Sequence, residues 1–408
     1  MDDLQDPMVA PNPAGGWSTR ILSLKDAVVV PTGETGMIQP SGVFDADGRY
    51  VHQAVLWRDR PLMVPTDLPD GAEHLAGRWI WGGVLLNHFG HFLTESTGRL
   101  WAVDAVKGAV DGLVFMSKRE GDEDGVVKAF HRIFFDLLGV TLPIRIIARP
   151  TRIDLLEVPG QGFGIGPLAQ GTDPFRRFVQ SRFARDLPAA GGERLYISRS
   201  ELGALRGGIL METRLEACLA ACGYEIFHPQ KHPMPEQIAR YKAAEQVVAL
   251  DGSALHLFAM VARDTQKVAI IKRRDSGATD GIVRHLSSFS GRPPRVIDTI
   301  LQDWVRSDRN RADRFSFGEL DFEALGKALA EAGLVPPDTR WTSLTAAESA
   351  AAMHEIEGRL RRQNLTFHPV PRKGGSLPEI VSAAAPPRNL RREARRASWK
   401  AGKAARRG

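Results

Sequence analysis

Two cysteines are all that 408 residues carry, Cys218 and Cys222, spaced four apart on one expected helix. That spacing excludes a disulfide framework and reads as two small buried thiols in an apolar stripe, with a reducing compartment as the expectation. No apolar run approaches eighteen residues, so no transmembrane helix is encoded. The opening Met1-Asp2-Asp3-Leu4-Gln5-Asp6 has neither a basic n-region nor an apolar h-region, so a cytoplasmic location is expected rather than a secretory one. There is no His-Glu-x-x-His. Asp45-Ala46-Asp47 has the letters of a metal-binding Asp-x-Asp loop, but Gly48 and the flanking alternation make it a hairpin turn. Gly160, Gly162, Gly164 and Gly166 are close together, yet no helix opens within them. No acidic residue follows about twenty positions later at a strand end, which argues against a dinucleotide-dependent oxidoreductase. No internal repeat is evident.

What is present has ordinary globular proportions, 43% hydrophobic and 25% charged. The net charge of +6 misleads. Residues 388–408 hold nine Lys or Arg against one Glu, a net +8, and the other 387 residues carry 45 basic and 47 acidic groups. The body is nearly neutral, which argues against nucleic acid as a partner. The tail reads as disordered by composition, with a basic helix against an anionic surface as the other possibility.

Apolar runs alternating with helical patterns predict an α/β chain long enough for two cores. A loose arm (1–20) precedes an α/β domain (21–187). In it, strands are expected at 21–31, 42–56, 78–81, 112–117, 142–147 and 154–158, with helices at 89–103, 126–138 and 174–185. Residues 188–192 read as a hinge. A second domain (193–310) has expected strands at 194–199, 224–228, 246–250, 267–272 and 295–297. Helices are expected between them at 212–222, 235–245, 254–261 and 280–289. A helical extension (311–370) and the basic tail (371–408) complete the chain.

Two stretches carry the chemistry. Asn87-His88-Phe89-Gly90-His91-Phe92-Leu93-Thr94-Glu95 puts His91 and Glu95 at i,i+4 on a helix, so a carboxylate can orient an imidazole that takes a proton from a hydroxyl. His88, His91 and Glu95 share nearly one face, which also allows a zinc set, though no further ligand cluster stands near. The other reading is a helix start whose histidines only satisfy backbone groups. In the second stretch, strand-then-helix steps from Arg194 to Met260 end in Asp251-Gly252-Ser253-Ala254-Leu255-His256, a turn of the kind that cradles phosphate at the carboxyl end of a parallel strand.

His91-Phe92-Leu93-Thr94-Glu95 followed by Arg99-Leu100-Trp101 resembles the N-terminal signature of glycosyltransferase family 61. Further matches follow in order. They are the strand ending at Arg199, then Arg206, Glu212 and Leu215–Leu219, then Glu236–Ile238, then Gly252–Leu255. The resemblance implies a GT-B-like fold, two Rossmann-like domains facing across a cleft, here with C-terminal helices and a basic tail. It implies inverting transfer of a sugar from a nucleotide-sugar, with the first domain receiving the acceptor and the second binding the donor. The acceptor implied is a glycan or lipid-linked glycan of a bacterial surface or capsular polysaccharide, with no cofactor and no metal expected. The implied roles are His91, Glu95 and Asp251 in catalysis. Arg199, Arg206, Glu212, Gly252, Ser253, Ala254 and His256 would contact the donor. A lipid-linked acceptor would also give residues 388–408 a purpose, at about 1 kcal/mol per cation near anionic lipid. The chain departs from the family pattern at Asp251, where the turn often has His, and at His256 and Met211, where Asn is usual. Those departures support the alternative, a non-catalytic protein of the same fold that binds glycan or nucleotide within an assembly complex.

Overall fold

The run Ala27-Val28-Val29-Val30 closes a ten-residue strand, Ile21–Val30 (β1), because β-branched side chains fill both faces of a pleated ribbon. The computed structural model of the protein describes residues 9–33, 36–118 and 127–372. β1 belongs to a six-stranded mixed sheet with Gly42–Phe44 (β2), Glu73–Leu85 (β3), Gly112–Ser117 (β4), Ile144–Ile147 (β5) and Thr151–Pro159 (β6), in the order β2-β1-β6-β3-β4-β5. β1 is antiparallel to β2 and β6, and the β6-β3-β4-β5 half is parallel.

A second sheet is wholly parallel: Arg194–Ile197 (β7), Glu225–Phe227 (β8), Gln246–Leu250 (β9), Lys267–Ile271 (β10) and Arg295–Ile297 (β11). Its order, β8-β7-β9-β10-β11, reverses direction between β7 and β9. In such sheets the crevice outside the carboxyl ends of the two strands flanking the reversal is where ligands bind. Those ends run into Ser198-Arg199 and Asp251-Gly252. The helices on this sheet are Glu212–Ala221 (α1), Met234–Ala243 (α2), Ala254–Ala259 (α3) and Ala278–Ser290 (α4).

One apolar cluster joins the two sheets, running from Ile80, Phe92 and Phe135 to Ile197, Tyr241 and Leu255. At its seam Phe163 stacks on Phe175 with centroids 4.7 Å apart, and Phe163 and Phe175 both meet Phe289 of α4. Gln180 donates to the Phe289 carbonyl, and Lys242 Nζ donates to the carbonyls of Ala184 and Leu187. The stretch 188–192, expected as a hinge, is tied down through Ala190 to Ala239 and Arg240, and through Gly192 to Glu225.

Several expectations change. Gly82 and Gly83 do not break the strand; they lie inside β3 at a bulge, where a Cβ on Gly82 would overlap the Phe115 ring. The expected helix 89–103 is an α-turn, Phe89–His91, widening into a π-helical turn, Phe92–Ser96, with turns beyond. The Thr94 and Thr97 hydroxyls there donate to carbonyls four residues back, which opens the helical ladder. The return arm of the expected hairpin at 42–56 shrinks to a bridge between Phe44 and Tyr50 and a 3-10 turn, His52–Ala54. Cys218 and Cys222 are free but only half-buried. The segment read as purely helical, 311–370, also carries strands. Ile300–Arg306 (β12), Phe317–Leu320 (β13) and Phe367–Pro371 (β14) form a third sheet with a two-residue strand, Gly208–Ile209. Helices Phe322–Glu331 and Ala346–Arg359 are present as expected. Among the described residues no helix is long and apolar enough to cross a membrane. The basic stretch 388–408 lies outside them.

Candidate active site

The carboxyl end of β3 delivers Asn87 and His88 to the start of the Phe89–Ser96 turn, and the π-helical widening there buries Glu95 completely. Its carboxylate takes three charge-assisted contacts. Oε2 lies 2.6 Å from His91 Nδ1, and Arg58 clamps both oxygens, Nε to Oε1 at 3.0 Å and Nη2 to Oε2 at 2.9 Å. A guanidinium only donates and a carboxylate only accepts, so Nδ1 carries a hydrogen and, in the neutral ring, Nε2 holds the lone pair. The His91 side chain is 39% exposed, so that lone pair is reachable. The arrangement is an imidazole oriented by a buried carboxylate, the geometry that general-base chemistry requires.

Arg58 is held from behind. Arg99 is 2% exposed, and its guanidinium donates to the carbonyls of Gln53 at 2.9 Å, Val55 at 2.7 Å and Pro159. Burial without a counter-ion pulls its pKa down to about 9, so it stays charged at neutral pH. Gln161 brackets Trp57 through its backbone N–H (2.8 Å) and carbonyl (3.0 Å). The arginine of the Arg99-Leu100-Trp101 signature thus fixes the loop that presents Arg58.

On the second sheet, Arg199 follows β7, and Arg273 and Arg274 follow β10. Glu212 is buried beneath Arg199: Oε1 accepts from Tyr196 Oη (2.9 Å), Ser198 Oγ (3.3 Å) and the Arg199 backbone N–H (2.7 Å). Desolvation raises the Glu212 pKa, against those hydrogen bonds. The Arg199 side chain lies so close to Gly252 that a Cβ there would sit 2.5 Å from Nη1. This close approach is what the glycine permits. Three guanidinium nitrogens here are buried with no hydrogen-bond partner among the described residues: Arg199 Nε, Arg273 Nη1 and Arg274 Nη1. Burial, then the field of Arg273, lowers the Arg199 pKa to about 10, and the same two causes lower that of Arg274. Like charges gathered with unused donors define a place for an anion.

The two halves touch. Gly90 packs on Ser253, and a Cβ on Gly90 would lie 2.9 Å from Ser253 Cβ. His91 therefore stands beside the turn at the sheet's reversal point. Arg206 and Arg314 act on His88, whose pKa is lowered first by burial and then by His91 and these two cations. The Arg206 carbonyl also accepts from Arg199 Nη2 at 3.2 Å.

The structure thus brings together His91, Glu95, Arg199, Arg206, Gly252 and Ser253, with Ala254 opening α3. That helix has only six residues, so its terminal field is weak and the guanidinium cluster carries the anion-binding charge. Three expected site residues sit underneath instead. Glu212 supports Arg199. Asp251 is 2% exposed, with Oδ1 2.9 Å from Arg273 Nε and Oδ2 accepting from Thr279 at 2.9 Å, so it lies buried against Arg273 beneath the turn. His256 Nδ1 lies 3.0 Å from His285 Nδ1, and burial lowers its pKa to about 4 and that of His285 well below its ordinary value. His88, His91 and Glu95 do not form a ligand set; no group of three metal-ligating side chains is found among the described residues.

Residues 89–268 match the family model of glycosyltransferase 61. Over that stretch the chain is similar to glycosyltransferase 61. That stretch runs from the Phe89 turn into the first residues of β10, so it contains His91, Glu95, Arg199 and Gly252 and ends before Arg273. Among curated proteins, none matches. Among solved structures, the chain is similar to a bacterial iron-containing dodecameric glycosyltransferase, TibC from enterotoxigenic E. coli. The identity is 13%, the coverage 87% of this chain and 100% of that one, and the TM-score 0.31, too slight to define a shared fold.

Sequence reasoning missed Arg58, Arg273 and Arg274. Lys272-Arg273-Arg274 directly after a parallel strand was a usable signal. Nothing in Trp57-Arg58-Asp59-Arg60 marks the partner of a carboxylate 37 positions away.

Proposed function

We propose that this glycosyltransferase moves a sugar, with inversion, from a nucleoside diphosphate sugar to a hydroxyl of a glycan or glycolipid acceptor. His91 Nε2 takes the acceptor proton as the oxygen attacks the anomeric carbon. The bond from that carbon to the diphosphate oxygen breaks, and its electron pair leaves with the diphosphate. Arg199, Arg273 and Arg274 meet that departing charge, which grows in the transition state and so lowers the barrier. These guanidinium groups would supply the charge that a divalent cation supplies elsewhere, so the reading needs no metal. A GT-B-like arrangement, a surface or capsular polysaccharide as product, and contact of residues 388–408 with anionic lipid at the cytoplasmic face belong to the same proposal.

The observation that carries the reading is the meeting of a reachable imidazole, oriented by Glu95, with a cluster of buried guanidinium N–H donors. The test is a thermal-shift screen against UDP-, GDP-, CMP- and dTDP-sugars without added metal, followed by transfer assays with the donor that binds. Saturation at about a hundred times the Kd stabilises by about 2.7 kcal/mol. The expected result is a shift with one nucleotide class that is lost in Arg273→Ala, with transfer lost in His91→Ala. Binding without hydrolysis or transfer would favour the non-catalytic alternative, and no shift with any donor would count against both.

A further inference from the structure

We propose that Arg58 is a positioning residue that keeps His91 neutral and Nδ1-protonated by cancelling the charge of Glu95. The inference rests on the reading of His91 as the base. A carboxylate 2.6 Å from an imidazole, alone, favours imidazolium, which has no lone pair to take a proton. Here the carboxylate already faces a full positive charge. Arg58 grips both of its oxygens, and Arg58 Nη2 is also 3.4 Å from His91 Nδ1. At that distance two donors face one another, so a proton added to the ring would be repelled by Arg58 while both compete for Glu95 Oε2. The guanidinium side chain is only 20% exposed, so water screens it little.

The other groups around His91 do not replace it. The His88 ring is 5.0 Å away, centroid to centroid, and its own environment contains Arg206 and Arg314. From α3, His256 is close enough to feel the charge of His91, and burial with His285 disfavours its protonated form. Glu95 is therefore the one anion facing the imidazole among the described groups, and Arg58 is its counter-charge.

The test follows the His91 imidazole by nitrogen-edited NMR across pH 4.5–9 in the full chain, with His91→Gln to assign the signal. In Arg58→Gln the titration midpoint should rise by at least about one pH unit, a tenfold gain in proton affinity. Arg58→Lys, which keeps the charge, should restore most of the wild-type midpoint. If Arg58→Gln does not fold because it leaves Glu95 buried and alone, the comparison is Glu95→Gln against Arg58→Gln/Glu95→Gln. The double variant should titrate at least about a unit higher, since it lacks the repelling cation. An equal midpoint in either pairing overturns the proposal. These readouts need no substrate, so a shifted midpoint without any transfer activity would sustain the Arg58 inference about His91 while removing the glycosyltransferase reading. With a donor in hand, the acid limb of kcat/KM should move up in parallel, and Arg58→Gln should regain activity above its new midpoint. A merely structural role would depress the rate equally at every pH.

Discussion

The two sides of the site are built to opposite rules. On the first sheet, both Glu95 oxygens are engaged, by His91 and Arg58, and the loop behind Arg58 is pinned by Arg99 and Gln161. On the second, Arg199, Arg273 and Arg274 gather with buried donors left over. A buried donor without a partner costs about 1–3 kcal/mol, more if charged. A fold tolerates that cost where an incoming group removes it. The first side is therefore satisfied from within, whereas the second keeps donors that an anion would satisfy.

That division predicts separable failures. The largest effect is expected from His91→Ala: kcat should fall by about 10²–10⁴ while the nucleotide-induced thermal shift survives. Loss of the shift as well would show that the two sides are not independent. Next comes Arg274→Met, which removes an unsatisfied Nη1 and a charge that Arg273 opposes. The unliganded protein should gain about 1 kcal/mol in urea denaturation while donor affinity falls about tenfold. Equal affinity would remove Arg274 from the anion site. A third effect is pH-dependent. His256 and His285 are held neutral, with the His256 pKa near 4 against an ordinary 6.5. The unfolded chain thus binds more protons in that window, and stability is present above pH 6.5 and lost as pH falls towards 4. On the order of 2 kcal/mol should go, read as a falling Tm, and His256→Leu/His285→Phe should flatten the curve. The smallest effect is local: Met211 is left-handed, with φ 53° and ψ 45°, a conformation that Asn adopts more cheaply. Met211→Asn should add about 1 kcal/mol of stability without changing donor affinity; no gain would mean that contacts of the Met211 side chain offset the strain.

The second sheet was readable because four of its five strands, β7 to β10, are short apolar runs followed by a helical period, and parallel topology follows from that alternation. His91 and Glu95 were readable because i,i+4 spacing is a local fact. The third sheet was not, since β12, β13 and β14 pair across long intervals and Phe317-Gly318-Glu319-Leu320 has little pattern of its own. Asp251 looked exposed to substrate because a carboxylate after a parallel strand commonly is, but the fold buries it against Arg273, 22 positions on. Arg58 was hidden for the same reason: its meaning lies in a partner from another segment. Burial decided each case, and burial is set by packing that sequence spacing does not record.

The apolar cluster shared by the two sheets has a mechanical consequence. Phe163, Phe175 and Phe289 at the seam, with Gly90 seated on Ser253, make the molecule an anvil rather than a pair of jaws. Opening it widely would expose aromatic surface to water, at roughly 25 cal/mol for each Å². Such a seam holds the spacing between His91 and the guanidinium cluster fixed, so access to the space beside them would come from surface segments rather than from the two sheets parting.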